Sequence, residues 1–231
     1  GAVEVGGDRL VVRGTWRDVG FVLTLVLAES APAWFWHLRL VNEGGAPVTV
    51  DAVHAQDLAL AHYGAIRMNE YYVSQYVDYA PLVDPARGYV LAVRQNLPMG
   101  GRHPWALVGA LGHAVGFATD ALQFHGLATR AGETAVALAA PALPATRRQH
   151  EHSLAAIQEA PLRLAPGESA TRGFFVWLDP DHAAVTSEAD LATVRRVLAL
   201  PEAAPPPAGS GAAAPVPPGA VPPAAPAAPP P

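Results

Sequence analysis

Residues 10–16 and 21–27 read LVVRGTW and FVLTLVL, and in both the apolar side chains recur at every second position. A period of two places alternate side chains on opposite faces of an extended chain, the pattern of a half-buried β-strand. The same reading applies to Trp34–Val41, Val48–Leu60, Gly88–Arg94, Gln149–Gln158 and Thr171–Leu178. Asn42-Glu43-Gly44-Gly45 supplies residues that tolerate positive φ, so the spacing predicts a hairpin between Trp34–Val41 and Val48–Leu60. Pro166-Gly167-Glu168 predicts a turn before the last strand. Many strands at short spacing, with no helix between them, define an all-β class: a large antiparallel β-sandwich.

One segment departs from that period. Ser187–Leu198 places Leu191, Val194, Val197 and Leu198 at helical spacing, and Ser187 with Asp190 three residues on forms a capping box. A single helix after the last strand reads as a connector. Beyond residue 200 the composition changes: residues 201–231 hold 13 of the 24 prolines and 11 alanines. Such a segment lacks the large apolar side chains that offset the entropy of ordering, so it is expected to be disordered and partly polyproline-like. Fully extended it would reach roughly 95 Å. The chain therefore divides into a sandwich (1–182), a helical connector (183–200) and a Pro/Ala tail (201–231). No internal repeat is evident in the globular part.

The 231 residues are 51% hydrophobic and 15% charged, enough to bury one sizeable core. The net charge is −5, all 15 cations are arginine, and no basic stripe appears, which argues against a nucleic-acid partner. The apolar run Phe21–Ala28 is too short to span a bilayer and no signal segment opens the chain, so no membrane partner is expected. Cysteine is absent, which excludes disulfides, thiol catalysis and thiolate metal sites, and fits a cytoplasmic location. The Gly-Ala start, in place of Met, reads as a cut end.

The tyrosines are concentrated: NEYYVSQYVDYAP at 69–81 holds four of the six. Read as one strand, it turns Tyr71, Val73, Val77 and Tyr79 to a core. Glu70, Tyr72, Ser74, Tyr76 and Asp78 form a second face of carboxylates, hydroxyls and rings. That second face suits a sugar, which needs an apolar platform and polar partners. It equally suits a strand packed beneath a neighbouring domain.

His150 and His152 form a His-x-His pair like that of cupin metal sites, but the glutamate expected four or five residues later is replaced by Ala156 and Ile157. No metal is expected. Gly109–Gly116 has the spacing G-x-x-G-x-x-x-G, which is no dinucleotide fingerprint; these glycines read as bulges or close approaches within strands. Arg94-Gln95-Asn96 and Gly101–Trp105 flank a polar loop of the kind that carries function. No nucleophile elbow appears, and no pair of carboxylates can be assigned glycosidase-like roles.

Several of these segments occur together in a known order: NEYYVSQYVDYAP at 69–81, AVRQN at 92–96, GRHPWALVG at 101–109, FATDALQFHG at 117–126 and RRQHEHSLAAIQEAPLRLAPGES at 147–169. Over roughly residues 1–200 the chain resembles the N-terminal β-sandwich, or supersandwich, of the cellobiose phosphorylase family, glycoside hydrolase family 94. It is most similar to members acting on β-1,2-linked glucooligosaccharides and to cyclic β-1,2-glucan synthases.

The resemblance implies a sandwich, a helical linker and then an (α/α)6 barrel. It implies inverting phosphorolysis of a β-glucoside to α-glucose 1-phosphate, with inorganic phosphate as co-substrate and no cofactor. In that family the acid that protonates the leaving oxygen lies on the barrel. Here the Pro/Ala segment stands where the barrel would follow, so no catalytic residue is assigned to this chain. Family sandwiches lend loops to the active-site rim and to dimer contacts. By that resemblance Tyr72, Tyr76, Arg94, Asn96, Arg102, His103 and Asp120 are the candidates for sugar-facing or interdomain positions. The implied partners are a β-glucooligosaccharide, the barrel and a second copy in a homodimer. Two rival readings are a stand-alone carbohydrate-binding module on a Pro/Ala tether and a cupin-like metalloenzyme using His150 and His152.

Overall fold

The computed structural model describes residues 1–127, 132, 134–149 and 152–207. Among them the strands, in chain order, are β1 (Ala2–Gly6), β2 (Arg9–Trp16), β3 (Val19–Leu27), β4 (Ala33–Asn42), β5 (Val48–Val50), β6 (Val53–Gln56), β7 (Val77–Asp84), β8 (Gly88–Gln95), β9 (Trp105–Ala110), β10 (Ala114–Asp120), β11 (Ser153–Glu159), β12 (Leu162–Leu164) and β13 (Ser169–Asp179). The helices are α1 (Tyr63–Ser74), α2 (Ala121–His125), α3 (Val136–Ala139) and α4 (Leu191–Leu198). None of them is long and apolar enough to cross a membrane.

The strands form an all-β sandwich. β1-β2-β3-β4-β13-β9-β8-β7 is a continuous antiparallel sheet, and β10-β11-β6 is a smaller one. The two are joined by a single parallel pairing, Ala114 with Gly88. A glycine is required at that corner: Gly88 has φ +71°, and a Cβ there would lie 2.0 Å from the Ala114 carbonyl oxygen.

The small sheet stacks on the inner face of the large one, where Leu91, Val93, Val108, Ile157 and Val176 are completely buried. The outer face places Phe35, Val90, Leu107 and Phe175 beneath Val194 and Val197 of α4. β8 and β9 are thus buried on both faces, which is why they read as continuous apolar runs rather than alternating ones. Each large side chain so buried stabilises the fold by about 1.5–3 kcal/mol. The far face of the small sheet is closed by Phe124 of α2 and Ala137 of α3. A short β5–β12 ribbon covers Val19 and Leu40 at one end of the large sheet.

β2, β3, β4 and β13 fall where the period of two puts them, and β8 falls on the expected segment although its pattern is a continuous apolar run. Gly167, at φ +75°, makes the expected turn before β13, and the Ser187–Asp190 capping box opens the 3-10 turn that leads into α4. Gly109 is a close approach, since a Cβ there would meet the Phe175 ring at 2.5 Å. Gly116 sits at a register shift between β10 and β11.

Four expectations are corrected. The tyrosine stretch is not one strand: its first part is the end of α1 and its second is β7. Asn69 breaks the helix with φ −162°, and its side-chain oxygen then accepts from Tyr72 N at 3.0 Å, restarting a helical turn. The spacing Tyr72–Tyr76 is i,i+4, a helical neighbour relation that a strand reading overlooks.

Second, the hairpin across 42–45 does not form; β4 pairs with β3 and β13, β5 with β12, and β6 with β11. Asn42 is buried and spent as an anchor. Its amide donates to the carbonyls of Ala46 (2.9 Å) and Leu164 (3.1 Å), and its oxygen accepts from Gly44 N (3.0 Å). Third, helices α1, α2 and α3 do interrupt the strands, as short pieces that leave the class all-β. Fourth, the strand expected from Gln149 starts at Ser153.

The chain continues beyond α4 through a 3-10 turn at Pro201–Ala203. There the Glu202 carbonyl accepts from Nε2 of buried His37 at 2.9 Å. The Pro/Ala tail expected to be disordered from residue 201 thus begins with an ordered turn, and its residues from 208 on lie outside the described residues.

Candidate functional site

β8 and β10 end, and β7, β9 and β11 begin, at the same end of the sandwich, and this topology gathers all seven candidate residues there. They separate into two groups.

Arg94, His103 and Asp120 are tethers. Arg94 is 7% exposed; its Nε donates to His182 O (3.1 Å), one terminal nitrogen to Ala183 O (3.3 Å) and the other to the Asn96 side-chain oxygen. His103 accepts from His182 N through its carbonyl (2.9 Å) and donates its own N–H to Asp181 Oδ1 (3.0 Å). Trp105 stacks on the His182 ring at 4.8 Å and donates to Thr186 Oγ1 at 3.0 Å. Together these bonds rivet the segment between β13 and α4 onto the end of the sheet. Asp120 is buried and caps α2, its Oδ2 accepting from Gln123 N at 2.9 Å.

Tyr72, Tyr76, Asn96 and Arg102 are exposed. The Tyr76 hydroxyl donates to that of Tyr72 at 3.2 Å, with the rings edge to face at 5.2 Å. That hydrogen bond raises the Tyr76 pKa above its ordinary value. The Tyr76 carbonyl accepts from Asn96 N at 2.9 Å, which fixes the tyrosines beside the β8–β9 loop carrying Arg102. Tyr71, 5.5 Å from the His152 ring, and Met68, 89% exposed, are further exposed apolar side chains of α1.

Buried Gln95 supports it from below, donating to the carbonyls of Ala59 (2.8 Å) and Val73 (3.2 Å). Tyr79, the fourth tyrosine of the stretch, is core: its hydroxyl bonds Ser153 at 2.7 Å, and burial raises its pKa. A pocket of about 180 Å³ between α1 and β11 brings Asp57, Glu70, Ser74 and Ser153 together. His150 and Glu151 lie outside the described residues, so the His-x-His pair has no described geometry. Among the described residues no three His, Asp or Glu side chains cluster to hold a metal.

Sequence reasoning missed a second concavity. An open apolar cleft of about 600 Å³ lies between the inner face of β3–β4 and β6. Leu23, Leu25, Trp34, Trp36 and Phe174 line it, with His54 in its wall. His54 packs against Phe174 (5.5 Å) and Trp36 (6.5 Å), and burial lowers its pKa to about 4. His54 Nε2 and Trp36 Nε1 are buried without a hydrogen-bond partner. The available signal was that all the inner-facing positions of β3 and most of those of β4 are apolar.

Residues 1–176 match the model of the SOGP N-terminal domain. The chain belongs to that family. A curated relative, the 1,2-beta-oligoglucan phosphorylase of Listeria innocua serovar 6a, is 34% identical over 125 residues, which are 54% of this chain and 11% of the relative. The chain thus spans about a tenth of that enzyme's length. Two solved structures resemble this SOGP N-terminal domain at TM-score 0.46. One is a polysaccharide lyase, 13% identical, covering 78% of this chain and 23% of its own. The other is a protein described as a kojibiose phosphorylase, from the human microbiome, 9% identical, covering 81% and 20%. The resemblance read from the ordered segments is borne out by the family match and the Listeria relative, which establish a relationship to glycoside phosphorylases.

Proposed function

We propose that this chain is the non-catalytic N-terminal sandwich of a glycoside phosphorylase acting on β-linked glucooligosaccharides. The observation that carries the reading is the 34% identity to a 1,2-beta-oligoglucan phosphorylase within the SOGP N-terminal family. The state of the candidate residues supports it. The Arg94 side chain and the His103 backbone hold the start of the connector, the His103 Nδ1 meets the Gln95 carbonyl at 3.2 Å, and Asp120 caps a helix, all structural roles. Tyr72, Tyr76, Asn96 and Arg102 offer rings and donors at one end of the sandwich, suited to a sugar or to the rim of a neighbouring catalytic domain.

In this reading the reaction occurs on an (α/α)6 barrel elsewhere in the enzyme. Inorganic phosphate is the co-substrate, the product is α-glucose 1-phosphate, and no cofactor takes part. A cytoplasmic location goes with the cysteine-free sequence.

The test is an assay of glucose 1-phosphate release from β-1,2-oligoglucan and phosphate. The expected result is release by the polypeptide that carries this domain with its barrel, and none by the 231-residue chain alone. Release by the chain alone overturns the proposal. The exposed Tyr72–Tyr76 pair favours a second reading, a stand-alone carbohydrate-binding module. That reading requires the isolated chain to bind a β-glucooligosaccharide, with affinity lost in Tyr72→Ala.

A further inference from the structure

The inner face of β1–β4 carries no charged side chain. Alternate residues from Val3 and Val5, through Leu10 and Val12, to Leu23, Leu25 and Leu27 all point the same way by their cross-strand registers. The charges of these strands, Glu4, Arg9, Arg13 and Arg39, occupy the opposite face. A sheet with one face in water carries polar side chains on that face. Here the apolar face is the open one: Val3 is 42% exposed, Leu27 48% and Val5 54%, while Thr24 and His37 behind it are buried. Single exposed apolar residues need no explanation, but a continuous uncharged face marks an interaction surface.

The shape of the opening says what fits it. This face continues the internal interface between the two sheets, because Trp34, Trp36 and Leu38 already pack against the buried cluster beneath the small sheet. The small sheet ends at β6, which among the described residues pairs on one side only, with β11. Beyond β4 three strands of the large sheet, β3, β2 and β1, have no strand above them at the β6 side among the described residues. At ~4.8 Å per strand that is roughly 14 Å of missing cover. The sheet spacing of ~10 Å leaves room for one layer of strands, which the cleft beside β6 begins to outline.

We propose that this face is a docking surface for β-strands from another part of the same polypeptide, added antiparallel or parallel to the free edge of β6 so that the small sheet extends over β3, β2 and β1. The assignment rests on the phosphorylase reading, in which this chain is one part of a longer enzyme: the 125 residues that match the Listeria relative cover 11% of it, so most of its length lies outside the match. The incoming strands turn apolar side chains to Leu23, Leu25 and Trp34. Backbone pairing with β6 and burial of alternate side chains are the two components of strand addition.

The chain contains no cysteine, so single thiols report the surface cleanly. Leu27→Cys and Val5→Cys replace exposed side chains, and their alkylation is followed at the site by peptide mass spectrometry, in the 231-residue chain and in the longer polypeptide. Hydrogen exchange of the Val53–Gln56 amides is followed in parallel. The expected result is alkylation slowed by about tenfold or more in the longer polypeptide, with β6 amides exchanging more slowly there. Equal alkylation in both overturns the proposal. So does alkylation of the isolated chain that slows with its own concentration, which assigns the face to a second copy. Protected thiols with unprotected β6 amides also overturn it, since the cover is then not an added strand. Neither readout depends on phosphorolysis, so a longer polypeptide that shows protection without releasing glucose 1-phosphate overturns the enzymatic reading alone.

Discussion

β8 and β9 on one side of the large sheet, and β2 and β3 on the other, are similarly rich in Val and Leu, yet they stand in opposite surroundings. Leu91, Val93 and Val108 are completely buried between two layers. Leu10, Val12, Leu23 and Leu25, from strands of the same sheet, are only half-buried. The difference lies in what packs above them: β10-β11-β6 lies over one half, and the β5–β12 ribbon shields only an end of the other. Apolar content therefore states how much surface a strand is built to bury, while the covering layer decides how much is buried.

The corner joining the two sheets is the point where this asymmetry is most easily destroyed. Gly88→Val drives a side chain into the Ala114 carbonyl at a positive φ and is expected to cost more than about 4 kcal/mol, read as failure to fold or a collapsed urea midpoint. A near-normal midpoint would mean that the small sheet is held without the corner.

Truncations compare the two halves directly. Leu107→Ala and Ile157→Ala, both fully buried, should each cost about 3–4 kcal/mol, whereas Leu25→Ala should cost about 1 kcal/mol. Equal losses would show the open half to be closed in solution.

Acid supplies a third comparison, centred on the cleft. Burial depresses His54 to about 4, and His37 is lowered in the same direction for the same reason. The unfolded chain then binds more protons between the ordinary histidine value and the folded one, so stability falls as pH falls. Up to about 3 kcal/mol attributable to His54 should be lost between about pH 6.5 and pH 4. His54→Phe should flatten that slope in chemical denaturation at several pH values; an unchanged slope would place its origin elsewhere. Smaller again, Arg94→Ala removes the bonds holding His182 and Ala183 and should cost about 1–3 kcal/mol, with amides of α4 exchanging faster.

The alternation in LVVRGTW and FVLTLVL was legible because local sterics and a single buried face set it. The Ser187–Asp190 capping box was legible because both partners lie within one turn. The tyrosine stretch misled because aromatic residues suit strands and exposed helix turns alike, and the Asn69 side-chain bond to Tyr72 N decided the matter locally. The Asn42 turn misled for a different reason. Its amide is tied to the Leu164 carbonyl, 122 residues away, a partner the local turn pattern does not record. Of the candidate site, the segments were readable but their roles were not. Arg94 and Tyr76 are brought near each other by the β7–β8 pairing, yet one is a buried clamp and the other an exposed ring.

The sequence by itself determined the strand-rich class, the positions of β2, β3, β4, β8 and β13, the capped C-terminal helix and the kinship with glycoside phosphorylases. Each of these depends on residue spacing or on short ordered segments. Only the tertiary structure decided which strands pair, which polar side chains are consumed as tethers, and which apolar face stays open. Those outcomes depend on partners far along the chain, whose approach costs entropy that local pattern does not record.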